Sequence, residues 1–171
     1  MSGFNFTKSI SIDLSWGALT IDASSSMTTL DLGSLNSVGD FVLISGNLSL
    51  VTFTINNLTT VGGSLSISNN AMTNLDISNL ISVGDYFNVT YNSSLSTLIV
   101  NPAGVSASSY DLRNNALDQS SVDNFLVTMV NTGLTNRILD LTGGSNATPG
   151  TTGSAAIATL SSVRGWTIAT N

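Results

Sequence analysis

Cysteine, histidine and glutamate are all absent from the 171-residue chain, and lysine occurs once, at Lys8. Without cysteine no disulfide contributes to stability, and the redox compartment leaves no trace in the sequence. The missing histidine and glutamate remove the usual general bases, Ser-His triads and most zinc sites, and the missing cysteine removes thiol nucleophiles. The chain therefore reads as non-enzymatic, with no cofactor. Charged residues make up only 8% of it against 42% apolar ones. Its surface must then be covered by Ser, Thr, Asn and Gly, not by the Lys and Glu of an ordinary cytosolic enzyme. Basic residues other than Lys8 are Arg113, Arg137 and Arg164, and the net charge is -6. With no basic stripe to neutralise phosphates, no nucleic-acid partner is expected. No apolar run approaches the roughly 20 residues of a membrane helix, so no membrane insertion is expected either. The opening residues Met1 to Phe6 lack the basic region and apolar core of a secretory leader. The expectation is synthesis in a cytoplasm, with release by a route other than a secretory leader.

What the chain has instead is a repeat. Leu30-Asp31-Leu32, Phe53-Thr54-Ile55, Leu75-Asp76-Ile77 and Leu98-Ile99-Val100 follow one another at steps of 22–23 residues. Val38-Gly39, Val61-Gly62 and Val83-Gly84 keep the same step. Each is followed by an alternating run, Val42/Ile44, Leu65/Ile67 and Phe87/Val89, with Leu19/Ile21 as an earlier copy. Five residues after the first apolar member of each run stand Ser24, Asn47, Asn70 and Asn92, and Asn115 keeps that offset from Tyr110. Alternation at period two places every second side chain in a shared core, and glycine suits a tight corner. One unit cannot bury its own apolar face, so the units must stack. The spacing predicts a β-rich solenoid of parallel strands, two per turn. Its column of Asn47, Asn70, Asn92 and Asn115 is read as structural, satisfying backbone groups at the bends.

The pattern changes after Asn101-Pro102. A helix capped by Ser120 or Ser121 carries Val122, Phe125, Leu126, Met129 and Val130 and stops at Gly133. A second, from about residue 153 to 164, carries Ala156, Ile157, Leu160 and Val163. The strands Leu139-Asp140-Leu141 and Trp166-Thr167-Ile168 alternate with them. One continuous domain thus divides into a cap or arm at 1–16, strand-only rungs at 17–101 and strand–helix repeats at 102–171. In the first part Phe4, Phe6, Ile10 and Ile12 alternate with polar residues. They either cover the open core or form an attachment arm that adds a strand to a neighbour.

The unit from Leu58 to Ile77 resembles the leucine-rich repeats of bacterial surface proteins and receptor L-domains. The stretch Leu139-Asp-Leu-Thr-Gly-Gly-Ser-Asn-Ala-Thr-Pro-Gly150, with its helix and Arg164-Gly-Trp-Thr-Ile168, resembles a module of phage tail-fibre and other virion-surface proteins. These resemblances imply a non-enzymatic bacteriophage structural protein, a decoration or fibre module in the virion. Its implied partners are capsid or tail proteins and a host-surface glycan or protein. The alternatives are a bacterial cell-surface adhesin and an ice-binding solenoid; outward Phe41, Leu43 and Tyr86 make a poor flat array for ice.

Candidate sites follow from the outward positions. Phe41, Leu43, Tyr86 and Asn88 flank inward residues of the first strand column and offer aromatic and amide groups for recognition. The alternative is that a terminal segment folds over them. Asp31, Asp76, Asp111 and Asp140 also lie between inward neighbours and point outward. Asp31 and Asp76 stand two rungs apart, about 9–10 Å at normal strand spacing, too far to share a metal. No calcium-loop run occurs, so no metal site is expected.

Overall fold

Short alternating runs bounded by Gly, Asn and Ser are too brief to form a sheet alone, and each finds its hydrogen-bonding partner one repeat away. The computed structural model describes residues 17–171. The expected cap or arm with Phe4, Phe6, Ile10 and Ile12 lies outside the described residues. The first turn holds β1 (Leu19–Asp22), β2 (Thr29–Asp31) and β3 (Ser37–Val38). The second holds β4 (Val42–Ser45), β5 (Thr52–Thr54) and β6 (Thr60–Val61), and the third β7 (Leu65–Ser68), β8 (Asn74–Ile77) and β9 (Ser82–Val83). The fourth holds β10 (Tyr86–Thr90) and β11 (Thr97–Val100). Then come β12 (Ser109–Asp111), α1 (Gln119–Asn131), β13 (Ile138–Asp140), α2 (Thr151–Arg164) and β14 (Thr167–Ala169).

Every ladder is parallel, and the molecule is a β-solenoid with two helices toward its C-terminal end. One sheet runs its whole length in the order β1-β4-β7-β10-β12-β13-β14. A second face carries the pairs β2-β5 and β8-β11, and the Val-Gly positions form a third, narrow ladder β3-β6-β9. Each strand-only turn carries the two expected strands, and in the first three turns a two-residue strand is added at the Val-Gly position. Two residues are too short to show alternation, so in the sequence this position looks like a bare corner.

Registers follow the repeat. Leu19, Val42, Leu65, Phe87, Tyr110, Leu139 and Ile168 form one column, all inward and, except for Ile168, buried. Met27, Leu50, Met72, Leu95 and Leu117 fill the bends with a further buried column. Complete burial of such a side chain contributes about 1.5–3 kcal/mol, and these columns repeat that gain at every turn. Where the helices replace strands, Phe125 of α1 meets Phe87 and Tyr110, and Trp166 stacks on Tyr110 at 5.3 Å between ring centroids.

Two details of the helices differ from expectation. The cap of α1 is Asp118, whose Oδ1 accepts the Ser121 backbone N–H at 2.7 Å. Ser121 is instead buried, accepting from the Leu98 N–H and donating to the Ser96 carbonyl, so it ties the helix to β11. In α2 the buried residues are Gly153, Ala156 and Leu160, whereas Val163 is 76% exposed. Gly165 closes that helix in the left-handed conformation, φ 69°.

The Tyr110 hydroxyl donates to the Val105 carbonyl at 2.7 Å and accepts the Ala107 N–H at 3.0 Å. Burial pushes its pKa from 10.0 up to about 12, against the smaller opposing effects of Ala107 and Arg137. The folded state thus holds its proton more tightly than the unfolded chain. The stability this group contributes is complete below pH 10 and is lost as pH rises toward 12. We expect urea denaturation to show a fall of about 2–3 kcal/mol over that window, and Tyr110→Phe to flatten it.

Candidate functional site

One asparagine per turn stands in a buried column beside the long sheet. Asn47, Asn70, Asn92 and Asn115 are buried, and the backbone N–H groups of Ser24, Asn47, Asn70 and Asn92 each donate to the Oδ1 of the next member. Each Nδ2 is spent on backbone carbonyls, those of Ile21 and Ser45 for Asn47 and of Ile67 and Thr90 for Asn92. Immediately before each member stands a residue in the left-handed region: Ala23, Gly46, Asn69, Tyr91 and Asn114, with φ between 53° and 68°. Asn146 extends the device at the helical end, accepting the Leu117 N–H and donating to the Leu112 and Leu141 carbonyls. None of these side chains is left over for a ligand.

The outward columns of the long sheet are where free chemistry lies. Phe41 is 39% exposed and Tyr86 50%, so no terminal segment among the described residues folds over them. Phe41 and Leu43 belong to the second turn, and Tyr86 and Asn88 to the fourth; the structure does not bring the two pairs together. Around Tyr86 and Asn88 lies a shallow depression of about 370 Å³, lined also by Asp111, Arg113, Ile138 and Asp140. Register explains the gathering: Asn88 pairs with Asp111, and Asp111 with Asp140, across three neighbouring strands.

The polar groups here are unequally engaged. Arg113 grips Asp111 through both Nε and NH2, at 2.7–3.1 Å, and its Nε lies 3.6 Å from Asp140 Oδ2. The hydrogen bonds and charge of Asp111 raise the already high pKa of Arg113, so it is a permanent cation. Asp140 Oδ1 accepts both the N–H and hydroxyl of Thr142. Among the described residues its Oδ2 has only the distant Arg113 Nε. Two carboxylates against one guanidinium leave the depression net negative. Among the described residues the Asn88 amide makes no hydrogen bond.

Asp111 and Asp140 were legible as outward aspartates, but the sequence comparison set Asp31 against Asp76. Those two sit on the second face, in β2 and β8, whereas Asp111 and Asp140 are neighbours on the long sheet. All four also accept the N–H two residues on, closing the bend after the strand. Among the described residues no three potential metal ligands cluster, and no helix is long and apolar enough to cross a membrane. Arg113, Ile138 and Tyr91 were missed. Tyr91 is 51% exposed, lies next to Arg113 electrostatically and donates its N–H to the Arg113 carbonyl. The signal for it was available: Tyr occupies the repeat position that Gly46 and Asn69 hold elsewhere.

A second concavity of about 380 Å³ lies between β11 and α1, lined by Leu98, Ile99, Val100, Val127 and neighbours. Its one charged lining residue is Asp118, which caps α1. Comparison with known proteins assigns no relative: no family model, no curated protein and no solved structure matches the chain.

Proposed function

We propose that this protein is a non-enzymatic recognition module, a decoration or fibre unit on the surface of a bacteriophage particle, built from leucine-rich-repeat-like turns. The observation that carries the binding role is the outward patch of Tyr86, Asn88, Asp111, Arg113, Ile138 and Asp140 on a rigid sheet. Exposed aromatic and aliphatic groups beside a small number of fixed polar ones are the composition of recognition surfaces. The scaffold beneath is held by columns of fully buried side chains, so binding costs little reordering. The particle setting rests on the likeness of the unit 139–168 to tail-fibre modules and on a surface with few charges. In that setting the opposite ends or faces would contact capsid or tail proteins, and the patch would face the host surface.

Mass spectrometry of purified phage particles from a lysate in which the protein is expressed tests the setting. Stoichiometric recovery with the particles is the expected result. Recovery only in the soluble fraction, or with bacterial envelopes, would transfer the same binding module to the cell-surface adhesin reading.

A further inference from the structure

Of two exposed tyrosines on the fourth turn, Tyr86 lines the depression and Tyr91 follows the strand that forms its edge. Tyr86 stands at the start of β10 and Tyr91 just past its end, both half exposed, with Asn88 between them. An extended strand advances about 3.3 Å per residue, so the two ring-bearing positions lie roughly 15 Å apart. Next to this strand come Asp111 with its Arg113, then Asp140. The backbone geometry of Tyr91 is costly for what it is: φ 57° is easy for Gly or Asn and unfavourable for a bulky side chain. Residues at the equivalent places are small or are asparagine, Ala23, Gly46, Asn69 and Asn114. A half-exposed aromatic held there at a stability cost is accounted for by a surface contact.

From this arrangement we infer that the depression binds a neutral pyranoside chain, of the length of a disaccharide or more, laid along β10. Resting on the recognition reading above, this inference names the ligand class for the same patch. The tyrosine rings supply flat apolar faces for the C–H faces of sugar rings, a contact that aromatic residues make with little loss of freedom. Between them the Asn88 amide offers both a donor and an acceptor, and Asp140 Oδ2 accepts from a hydroxyl. Charge sets the selectivity. The guanidinium spends its Nε and one terminal nitrogen on Asp111, and the two carboxylates outnumber it, so a carboxylated or phosphorylated sugar meets net repulsion. The second concavity, beside α1, is excluded because its lining residues carry one acidic group and no exposed aromatic.

The test is a surface-immobilised panel of neutral hexose and N-acetylhexosamine oligosaccharides beside sialylated and phosphorylated ones, probed with the full chain. Purified lipopolysaccharide and a glycoprotein bearing neutral glycans are added to separate the two natural carriers. Binding to neutral oligosaccharides with dissociation constants around 0.1–1 mM is expected, as for a shallow site with few anchors. Tyr86→Ala, Asn88→Ala and Asp140→Asn are each expected to weaken it about tenfold, while Phe41→Ala leaves it unchanged. Tyr91→Gly gives the sharpest signature: binding falls, yet the melting temperature stays level or rises as the strained backbone relaxes. A merely structural Tyr91 would leave binding unmoved. Absence of binding to every neutral sugar, preference for the anionic ones, or indifference of affinity to Tyr86→Ala and Tyr91→Gly would overturn the inference. Recognition as such fails separately, if the protein neither associates with particles nor adheres to host cells or envelopes.

Discussion

Replacing Asn92 with alanine will lower the folding free energy by about 3–5 kcal/mol, a large share of the 5–15 kcal/mol that holds a typical domain together. The side chain is fully buried and serves five groups. Its Oδ1 accepts the Asn70 N–H at 3.0 Å and Asn70 Nδ2 at 3.3 Å. Its Nδ2 donates to the Ile67 and Thr90 carbonyls at 3.0 and 3.1 Å and to Asn115 Oδ1 at 3.3 Å. Alanine strands one backbone N–H and two carbonyls away from water, and each unsatisfied buried group costs about 1–3 kcal/mol. Asn92→Asp is the sharper probe because size is conserved and only the donor is lost. An oxygen then faces three acceptors, and burial among them raises the carboxyl pKa in the folded state. Stability of that variant should therefore improve as pH falls from 7 to 4, the reverse of an ion-paired aspartate. Urea melts at the two pH values give the answer; an Asn92→Asp variant as stable as the parent at pH 7 would remove the ladder from its structural role.

The second large effect is expected at Gly84. A Cβ there would lie 1.9 Å from the Gly62 carbonyl oxygen and 2.7 Å from its carbon, and one at Gly62 would lie 2.1 Å from the Gly39 oxygen. These atoms are backbone, fixed by the Gly62 N–H to Val38 and Gly84 N–H to Val61 hydrogen bonds, both 2.9 Å. They have nowhere to go. Gly84→Ala should cost about 3 kcal/mol or more, by prising two turns apart. Gly133→Ala makes a useful contrast, since its added methyl meets nothing closer than the tip of Arg164 at 3.6 Å. Its φ of 73° still carries a left-handed penalty of about 1–2 kcal/mol. Equal melting temperatures for the two variants would contradict the stacking account of the corner glycines.

That contrast also marks how far the sequence could be read. The Val-Gly step announced the turns, but glycine at 62 and 84 was attributed to conformational freedom, while neither has a positive φ. The reason is close approach between turns, a property of stacking that no single repeat contains. The same holds for the patch. Periodicity placed Tyr86 and Asn88 outward because alternation is local. The 29-residue step from Tyr110 to Leu139 already aligned the strands that carry Asp111 and Asp140, but not the Arg113 side chain that bridges the two carboxylates. Nor could periodicity separate the long sheet from the second face, because Leu-Asp-Leu and Leu-Asp-Ile look alike in either. Ser121 was assigned to the cap of α1 on residue preference, but Asp118 one turn earlier caps better and Ser121 was needed at the β11 edge.

The amide ladder makes one side of this molecule metrically strict. Its links from Ser24 to Asn115 recur every 22–23 residues, and each closes only if the next turn arrives in phase. Across the core from it the turns are free to lengthen, and α1 and α2 occupy room that strands fill in earlier turns. Descent by insertion and deletion would be governed by that asymmetry. Whole turns can be gained or lost along the spine, odd lengths can bulge only on the far flank, and the exposed columns between them can drift in residue type while the frame beneath stays fixed.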